Sequence, residues 1–341
     1  MTRYKYKIKA FVRLLLNLIK FKSLKKTINY FKYDWSLLTN HKINYTPPVL
    51  AATVTRQCNL RCPTCLYLLE DKNYLFNSFI DIFSFNNYMK KIDAAKADII
   101  YFTGGEPLLN IDLGLMIDLC KYEYKLKTKI STNGILIEKN IDVLKKFDEV
   151  NISLDAYDID SFKKYRGGTK EQWEKITDGL WFLANEGVNF STSFLLSIEN
   201  ILEINKILKF INTLYQDKVY FHNINPHGSK DIKPLFIDDA FYFDSVLLRK
   251  DYDYDISLPY LFREGDKEVK CIQPWYYHCF DPEFNLAPCC HLEHSKKTNM
   301  ESIRYIMKDK LFPSCLYCQR RFIGKEYATF NSKNKKWKVY N

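Results

Sequence analysis

The chain is 341 residues long, 47% of them hydrophobic, and carries a formal net charge of +11. This length accommodates one large α/β domain with a small appendage, and the hydrophobic fraction excludes a globally disordered chain. Ten cysteines are too few for a disulfide scaffold, and nine of them form two clusters with ligand-like spacing, which favours metal binding in a reducing compartment.

The positive charge is concentrated at the N-terminus. Residues 1–33 contain ten Lys and Arg residues and no Asp or Glu, so the rest of the chain is close to neutral. A nearly neutral body argues against a general nucleic-acid-binding surface. The early apolar run lacks a small-residue cleavage site, and no stretch reaches the roughly 20 apolar residues that span a bilayer. We therefore expect a cytoplasmic protein.

Residues 5–33 are predicted to form one or two basic amphipathic helices. Their apolar positions follow the helical repeat from Ile8 to Ile19, with lysines beside the stripe. Such a helix can lie on the inner membrane surface, where each Lys or Arg adds roughly 1 kcal/mol of attraction to anionic lipid. It can also pack its apolar stripe on the body of the protein or bind an acidic partner. The sequence leaves these three interpretations open.

From Pro47 onward the chain is predicted to alternate between strands and helices. Strands are expected at about 49–55, 98–102, 128–131, 150–154, 190–196 and 219–223, and helices near 80–93, 112–122, 138–146, 170–187 and 201–215. Six βα units imply a parallel sheet, because each connection is long enough for a crossover helix. Right-handed crossovers give an open (β/α)6 barrel or a doubly wound sheet. In both folds the active site lies at the carboxyl ends of the strands.

Three cysteines occupy a predicted turn directly after the first strand. Cys58, Cys62 and Cys65 have the spacing Cys-x3-Cys-x2-Cys and include the run Cys-Asn-Leu-Arg-Cys. A closed zinc site or a closed four-iron cluster takes four ligands, so three thiols leave one coordination position for another group. The alternative is a zinc knuckle completed by a distant Cys or His.

This cysteine motif resembles the signature of the radical S-adenosylmethionine (SAM) superfamily. The resemblance implies a [4Fe-4S] cluster on Cys58, Cys62 and Cys65, with the amino and carboxylate groups of SAM on the open iron. It also implies a partial (β/α)6 TIM-like barrel for residues 47–255. In many members an aromatic residue near the adenine precedes the third cysteine, whereas this chain has Thr64 there. The adenine contact therefore departs from the family pattern.

A glycine-rich motif follows the second predicted strand, in Thr103-Gly104-Gly105-Glu106-Pro107. Adjacent glycines allow the backbone to approach a ligand closely, and the carboxylate suits a cation. The resemblance assigns Gly104, Gly105 and Glu106 to the amino group of SAM. The structural alternative is a tight βα turn.

Polar residues also end the third and fourth predicted strands. Thr132 and Asn133 follow one of them, and Ser153 and Asp155 close the other. Their hydroxyl, amide and carboxylate groups suit a ribose diol and a sulfonium centre, and the resemblance assigns such residues to SAM contacts. An Asn-Gly turn and a strand terminator are the structural alternatives. The segment Tyr165-Arg166-Gly167-Gly168 resembles one in which a subgroup of the superfamily often carries an Arg near the site. The alternative for Arg166 is solvation at the surface.

A second cysteine group begins after residue 270. Its members are Cys271, Cys279, Cys289, Cys290, Cys315 and Cys318. A capping box at Thr298 and Glu301 predicts a helix that runs to about Lys310 within this group. Because no cysteine follows Cys318, the pattern resembles the twitch form of the SPASM/twitch auxiliary-cluster domain.

The twitch resemblance implies one auxiliary [4Fe-4S] cluster. Its expected ligands are Cys271, Cys289, Cys315 and Cys318. Cys279 and Cys290 are then spare cysteines that pack near or guard the cluster, and a structural zinc site on the same four thiolates is the alternative. The family pattern has Gly where this chain has Phe284, so the local turn is expected to differ, with Asn285 able to take its positive φ. Cys120, on a predicted helix, is expected in the core.

The resemblance implies a domain order and a reaction. An amphipathic extension (1–46) precedes the radical SAM core (47–255), and the auxiliary domain with the tail follows (256–341). Reductive cleavage of SAM gives a 5′-deoxyadenosyl radical that abstracts hydrogen from a substrate, with flavodoxin or ferredoxin as reductant. A fully ligated auxiliary cluster suits net oxidation.

The substrate class is left open by the sequence. A small molecule, a lipid-linked molecule and a peptide are all compatible, although nothing resembles a peptide-recognition winged helix. His222, His227 and Asn225 are candidates for substrate contact, with a structural His as the alternative, and no catalytic residue is assigned. The competing hypothesis is a non-enzymatic zinc-binding or interaction protein with two Cys-rich sites.

Overall fold

The computed structural model describes residues 23–38, 44–65, 78–214, 216–225, 233–266, 271–287, 289, 315–322 and 325–340. The strands in these ranges are β1 (Val49–Thr55), β2 (Ile99–Gly104), β3 (Lys127–Thr132), β4 (Glu149–Ser153), β5 (Phe190–Leu196), β6 (Lys218–Asn223), β7 (Asp255–Ser257), β8 (Tyr277–Phe280), β9 (Leu286–Ala287), β10 (Ala328–Asn331) and β11 (Lys336–Val339). The α-helices are α1 (Leu24–Leu38), α2 (Ile82–Lys91), α3 (Leu113–Asp118), α4 (Ile141–Leu144), α5 (Ile159–Arg166), α6 (Lys170–Asn185), α7 (Ile204–Ile211), α8 (Asp244–Leu247) and α9 (Gln273–Tyr276). A π-helical turn (Leu119–Glu123) extends α3, and 3-10 turns lie at Ala94–Lys96, Pro107–Leu109, Glu138–Asn140, Ile201–Glu203, Ile237–Phe243 and Gln319–Phe322.

All these strands form one sheet, in the order β11-β10-β7-β6-β5-β4-β3-β2-β1-β8-β9. Every neighbouring pair from β8 through β1 to β7 is parallel. The predicted α/β fold with a mostly parallel sheet is confirmed. Because β1 to β7 are neighbours in chain order, the doubly wound alternative is wrong; that topology reverses its strand order at a switch point. Curvature into a partial barrel stays a prediction.

The two faces of the sheet differ in polarity. Strands β2, β3, β4 and β6 alternate buried with half-buried residues. The buried positions, such as Phe102 and Ile130, belong to the main hydrophobic core. The alternating positions are largely polar, such as Lys129 and Asn151, because successive side chains of a strand point to opposite faces. The sheet therefore presents one polar face.

The six predicted strands are all present, but several helices differ from prediction. The helix predicted to reach residue 215 ends at Ile211, and the one predicted over 138–146 is helical as α4 only from Ile141 to Leu144. Helix α5 was not predicted, although Asp158 and Ser161 form a reciprocal capping box at its start. Capping boxes are a sequence-visible signal of a helix start.

The C-terminal region contributes strands to both edges of the sheet. β8 pairs in parallel with β1 and carries β9, whereas β10 pairs with β7 and carries β11. The predicted boundary at 255/256 falls inside β7, and the division into domains stays a prediction. The helix predicted to end near Lys310 lies outside the described residues, as do Cys290 and His227.

Helix α1 is the described part of the predicted N-terminal helices; the stripe from Ile8 to Ile19 lies outside the described residues. α1 lies near the amino ends of β2 and β3, where the Lys26 ammonium donates to the Lys125 carbonyl at 2.6 Å. Among the described residues, no helix is long and apolar enough to cross a membrane.

Candidate functional site

The three-cysteine turn leaves the carboxyl end of β1 and is anchored by Leu60, which is 3% exposed. The Leu60 N–H points to the Cys58 Sγ at 3.4 Å, and the Cys65 N–H donates to the Cys62 carbonyl at 3.0 Å. The Arg61 guanidinium donates to the Cys58 carbonyl at 2.8 Å. The thiols of Cys58, Cys62 and Cys65 are free and half-buried. The turn thus holds three reduced thiols at the edge of the site.

Gly104 and Gly105 let the next strand end press against this turn. A Cβ at Gly104 would lie 2.2 Å from the Thr55 carbonyl oxygen, and one at Gly105 would lie 2.2 Å from that of Gln57. The Gly105 N–H donates to Thr55 and the Glu106 N–H to Gln57, at 2.9 and 2.8 Å. Gly104 also has φ of 141°, which favours glycine. The close packing of the two backbone segments therefore requires glycine at both positions.

The Glu106 carboxylate braces the third strand end. It is 1% exposed and accepts from the Thr132 hydroxyl at 2.6 Å, the Asn133 N–H at 2.8 Å and the Leu108 N–H at 3.1 Å. Burial raises the pKa of Glu106, and the hydrogen bonds from Asn133, Thr132 and Leu108 oppose that shift. These bonds satisfy the buried oxygens, as a buried carboxylate requires.

Asn133 reaches from β3 back to the cysteine turn. Its amide nitrogen donates to the Asn59 side-chain oxygen at 2.7 Å and lies 3.9 Å from the Cys58 Sγ. Gln172 of α6 donates to the Asn59 carbonyl at 3.2 Å. Asn59 is thus a site residue that the prediction missed, although it stands inside the cysteine motif itself.

Asp155 and Arg166 form a buried ion pair beside the thiols. The Asp155 and Arg166 side chains are only 10% and 11% exposed and lie 2.6 Å apart. Asp155 has φ of 52° and also accepts from the Leu195 N–H at 2.7 Å. The Arg166 Nε–H is buried and has no hydrogen-bond partner among the described residues. The structure therefore places Arg166 in the site, and the surface alternative is wrong.

The charge of Arg166 acts on the cysteine turn. Burial raises the pKa of Cys62 while Arg166 lowers it, and burial raises the pKa of Cys58 to about 11. Burial lowers the pKa of Arg166, but the opposing effects of Cys62 and Asp155 are together larger. The net shift of the Arg166 pKa is therefore upward. Arg166 stays a cation, and a nearby cation favours the thiolate forms that bind metals.

Ser153 and His222 lie farther along the row of strand ends. Ser153 is the last residue of β4 and is paired in register with Ser193 of β5. His222 lies within β6, where its ring stacks on Tyr220 with centroids 6.0 Å apart. Asn225 follows β6 and is half-buried. The structure brings Glu106, Thr132, Asn133, Asp155 and Arg166 together with the turn; Ser153 shares their end of the sheet.

The described cysteines of the second group are buried. Cys271, Cys289, Cys315 and Cys318 are 5 to 7% exposed. Burial raises the pKa of Cys271 to about 12, and the nearby Cys318 and Cys315 raise it further. The Cys318 N–H donates to the Cys315 carbonyl at 3.2 Å. The Cys271 thiol therefore lies within electrostatic range of the Cys-x-x-Cys pair.

The two other described cysteines belong to hydrophobic clusters. Cys279 lies on β8 and packs with Val49, Ala51 and Ala287. Cys120 is fully buried in the main core, which confirms its prediction. Burial alone raises the pKa of Cys120, as expected for an inert core thiol.

The turn between β8 and β9 corrects one prediction. Phe284 itself has φ of 59°, and Asn285 is not among the residues with positive φ. The Phe284 N–H donates to the Asp281 carbonyl at 2.9 Å, and its ring stacks on Tyr88 with centroids 4.6 Å apart. Ring stacking and the closed turn offset the left-handed strain of a non-glycine residue.

A buried charge cluster joins this turn to the first site. Arg56, two residues before Cys58, pairs with Asp281 and with Glu283. Asp281 is fully buried and also accepts from the Asn285 N–H at 2.8 Å. Sequence reasoning missed this cluster because its two halves are more than 200 positions apart and carry no motif.

The donor set fits an open iron-sulfur cluster at the first site. One turn carries all three thiols, a cation offsets their charge, and the buried Arg166 Nε–H is available to a ligand. In such a cluster each thiolate binds a different iron, so the thiolates need not meet at one point. Among the described residues, no three His, Cys, Asp or Glu side chains are grouped around a single-ion position.

Comparison with known families decides the identity of the core. Residues 52–211 match the Radical SAM superfamily. These residues are a radical SAM domain. The chain is therefore a radical SAM enzyme, as predicted.

A relative with a named activity covers most of the chain. GTP 3′,8-cyclase of Clostridium botulinum (strain Okra / Type B1) is 27% identical over 277 residues, which make up 74% of this chain and 82% of the relative. Relatives of this kind favour the enzyme over the non-enzymatic zinc-binding alternative.

Solved structures of Streptococcus suis SuiB share the fold. SuiB bound to S-adenosylmethionine has a TM-score of 0.60 at 16% identity, covering 86% of this chain and 76% of that one. SuiB bound to its precursor peptide SuiA also has a TM-score of 0.60 at 16% identity, covering 80% and 66%. At this identity the likeness concerns the fold alone.

Proposed function

We propose that this enzyme holds a [4Fe-4S] cluster on Cys58, Cys62 and Cys65 and binds SAM at the open iron. The observation that carries this proposal is the turn of three free thiols at the end of β1 in a radical SAM domain. When bound, the cluster and SAM supply one-electron cleavage to methionine and a 5′-deoxyadenosyl radical, which abstracts hydrogen from the substrate. The cofactor carries this chemistry, while the protein positions it.

Residues around the turn have distinct proposed roles. Arg166 offsets the charge of the thiolates from its buried pair with Asp155. Glu106 fixes Thr132 and Asn133, and Asn133 fixes the turn through Asn59. Locked side chains hold a reactive group in one geometry.

SAM contacts are proposed at the same strand ends. Gly104, Gly105 and Glu106 are assigned to its amino group, and Thr132, Asn133, Ser153 and Asp155 to its ribose and sulfonium. The Glu106 carboxylate already accepts three protein hydrogen bonds, so bracing accompanies its proposed part in SAM binding.

We further propose that Cys271, Cys289, Cys315 and Cys318 hold one auxiliary [4Fe-4S] cluster in a twitch-like domain. All four thiols are buried, and the nearby Cys315 and Cys318 thiols raise the pKa of Cys271. A cluster ligated by four thiolates has no open iron for substrate. Its proposed part is to accept an electron from the substrate radical, which gives net oxidation.

The proposed substrate lies over the polar face of the sheet. This face carries Tyr101, Lys129, Asn151, Ser193 and Tyr220. Hydroxyl and amide groups suit a polar small molecule, a lipid-linked molecule or a peptide, and SuiB is a structural neighbour bound to a peptide. His222 is a proposed substrate contact, and a flavodoxin or ferredoxin is the proposed reductant.

The proposed location is the cytoplasm, with peripheral contact of residues 5–33 to the inner membrane surface. The supporting observation is the concentration of positive charge in residues 1–33, since anionic leaflets attract basic segments.

Anaerobic reconstitution tests the two cluster sites. The chain should bind about eight irons, and Cys62→Ala and Cys315→Ala should each lose about four from a different cluster. Each variant serves as the control for the other. Two zinc ions and no iron-sulfur absorbance in the reconstituted protein would contradict the proposal.

A further inference from the structure

Helix α1 turns a polar face toward the body of the protein. Its buried residues are Lys26, Thr27, Asn29, Tyr33 and Ser36. Asn29 donates to the carbonyl of Thr46 at 2.6 Å and to that of Lys96 at 3.1 Å, and accepts from the Thr46 N–H at 2.9 Å. With the bond from Lys26 to Lys125, these contacts fix the rotation of the helix about its axis.

The opposite face of α1 is apolar and exposed. Leu24, Ile28, Phe31 and Trp35 are 64%, 44%, 36% and 49% exposed, and we call them the α1 stripe. Their spacing places them on one side of a helix, and the rings of Phe31 and Trp35 stack with centroids 6.1 Å apart. A surface helix of a globular protein normally buries such a stripe, so this orientation is inverted. Large exposed apolar faces mark interaction sites.

The charges beside the stripe are positive. Lys25 and Lys32 are exposed on α1, and Lys125 and Lys127 are exposed on the loop and strand beside it. The nearby acids are the exposed Glu123, Asp93 paired with Lys96, the buried Asp98 close to Lys26, and Asp34 on the helix itself. Every charged residue before Asp34 is Lys or Arg. The surroundings therefore complement an anionic partner.

We propose that the α1 stripe docks on an anionic bilayer surface, with the helix lying in the plane of the interface. Aromatic and aliphatic side chains enter the headgroup boundary while flanking lysines meet anionic lipid, the arrangement of interfacial amphipathic helices. This inference rests on the proposed membrane contact of residues 5–33 and assigns a specific face to it.

Docking through the stripe also orients the active site. α1 lies near the amino ends of β2 and β3, whereas the cysteine turn follows the carboxyl end of β1. A strand of this length spans roughly 20 Å. The cysteine turn therefore lies at the end of the sheet opposite to the one that α1 packs against.

Vesicle sedimentation of the full chain tests the stripe. The variant Ile28→Gln/Phe31→Gln removes apolar surface without changing charge, and Gln is a good helix former. The matched control is Leu202→Gln/Leu248→Gln, at positions 75% and 82% exposed elsewhere. Vesicles of phosphatidylcholine alone and with phosphatidylglycerol are the probes.

The wild-type chain and the control should bind the phosphatidylglycerol vesicles, and the stripe variant should bind about tenfold more weakly. Wild-type binding should also weaken in high salt. In a second measurement on the unaltered chain, brominated lipid should quench more tryptophan fluorescence than it does in Trp35→Phe. Circular dichroism of all variants should be identical.

Three results would overturn the proposal. If the stripe variant binds as the wild-type chain does, the stripe is not the docking face, although the broader membrane contact survives. If the wild-type chain binds no vesicle, both fall. If it binds none and the stripe variant converts a dimer to a monomer, the stripe is covered by a second copy. None of these outcomes bears on SAM cleavage.

Discussion

The first cysteine site is a single turn after β1, whereas the second draws its cysteines from separate stretches near the edges of the sheet. Residues from three neighbouring βα units brace the first turn, namely Glu106, Asn133 and Arg166. Beside the second site, the Asn223 N–H at the carboxyl end of β6 donates to the Gln319 side-chain oxygen at 2.9 Å, one residue after Cys318. The pair of Arg56 with Asp281 connects the first site to the turn between β8 and β9, which precedes Cys289.

The two sites assemble their cysteine ligands in different ways. In a contiguous turn, the chain itself keeps the cysteines close to one another. Such a turn needs only contacts with neighbouring strand ends to hold it in place. A dispersed set depends on tertiary contacts that bring distant segments together. Substitutions in the shared link should therefore weaken both sites, and those in the local brace should weaken only the first.

Asp281→Ala should produce the largest loss of stability. It removes the fully buried carboxylate that pairs with Arg56, and breaking a buried pair is destabilising by about 3 kcal/mol. Iron content of both clusters should fall, as measured after reconstitution, with the free energy of unfolding measured in urea. The matched control, Asp251→Ala, breaks the exposed pair with Arg249 and should change stability by less than about 1 kcal/mol. Loss of iron from one site alone would show that Asp281 does not link them.

Arg166→Met should affect the first site only. It leaves Asp155 buried without its cation, which destabilises the fold by about 2–3 kcal/mol, and it removes the charge beside Cys62. Iron should fall by about four per chain, while the second cluster keeps its spectrum. Lys146→Met, which breaks a half-exposed pair with Asp118, is the control and should retain all iron. Full iron in Arg166→Met would show that the cation is not needed to hold the thiolates.

Gly105→Ala should have an intermediate effect. A methyl group at this position meets the Gln57 carbonyl oxygen at 2.2 Å, so the backbone must move, at about 1–3 kcal/mol. The first turn should shift, with weaker SAM binding in equilibrium dialysis. Gly114→Ala, where the nearest atom lies 3.5 Å away, is the control and should be neutral or slightly stabilising. Unchanged SAM affinity in Gly105→Ala would mean that the tight backbone contact does not position the site.

Asp148→Asn should give the smallest effect, and one that touches neither site. Burial raises the pKa of Asp148, but the hydrogen bonds from Thr128 and Lys121 together have a larger, opposite effect. The net shift of the Asp148 pKa is therefore downward. A lowered folded pKa contributes stability above the unfolded value and loses it as pH falls through the folded value. The difference between wild type and variant should be below about 1 kcal/mol at neutral pH, since Asp148 is 40% exposed. Urea unfolding should show it vanish in acid; a difference that grows in acid would contradict this sign.

The local part of the fold could be predicted from the sequence. Strands β1 to β6 are apolar or alternating runs followed by polar motifs, and each was predicted within a few residues. The cysteine turn, Glu106 and Asn133 could be located because each directly follows a strand. Parallel strands then bring their carboxyl ends to one edge.

The long-range part could not be predicted. β8 and β9 are four and two residues long, too short to show a periodicity, and β8 pairs with β1 from far along the chain. The Arg56–Asp281 pair and the positive φ of Phe284 depend on that pairing. Arg166 was ambiguous because an arginine near a helix end is usually solvated, and only its buried contact with Asp155 decides its place.

The most direct test is 5′-deoxyadenosine formation from SAM under anaerobic reduction, compared between the wild-type chain, Cys62→Ala and Cys315→Ala. We expect product from the wild-type chain and from Cys315→Ala, because the first site is intact in both. We expect none from Cys62→Ala. Product from Cys62→Ala at the wild-type rate would contradict the assignment of the open cluster to the turn after β1.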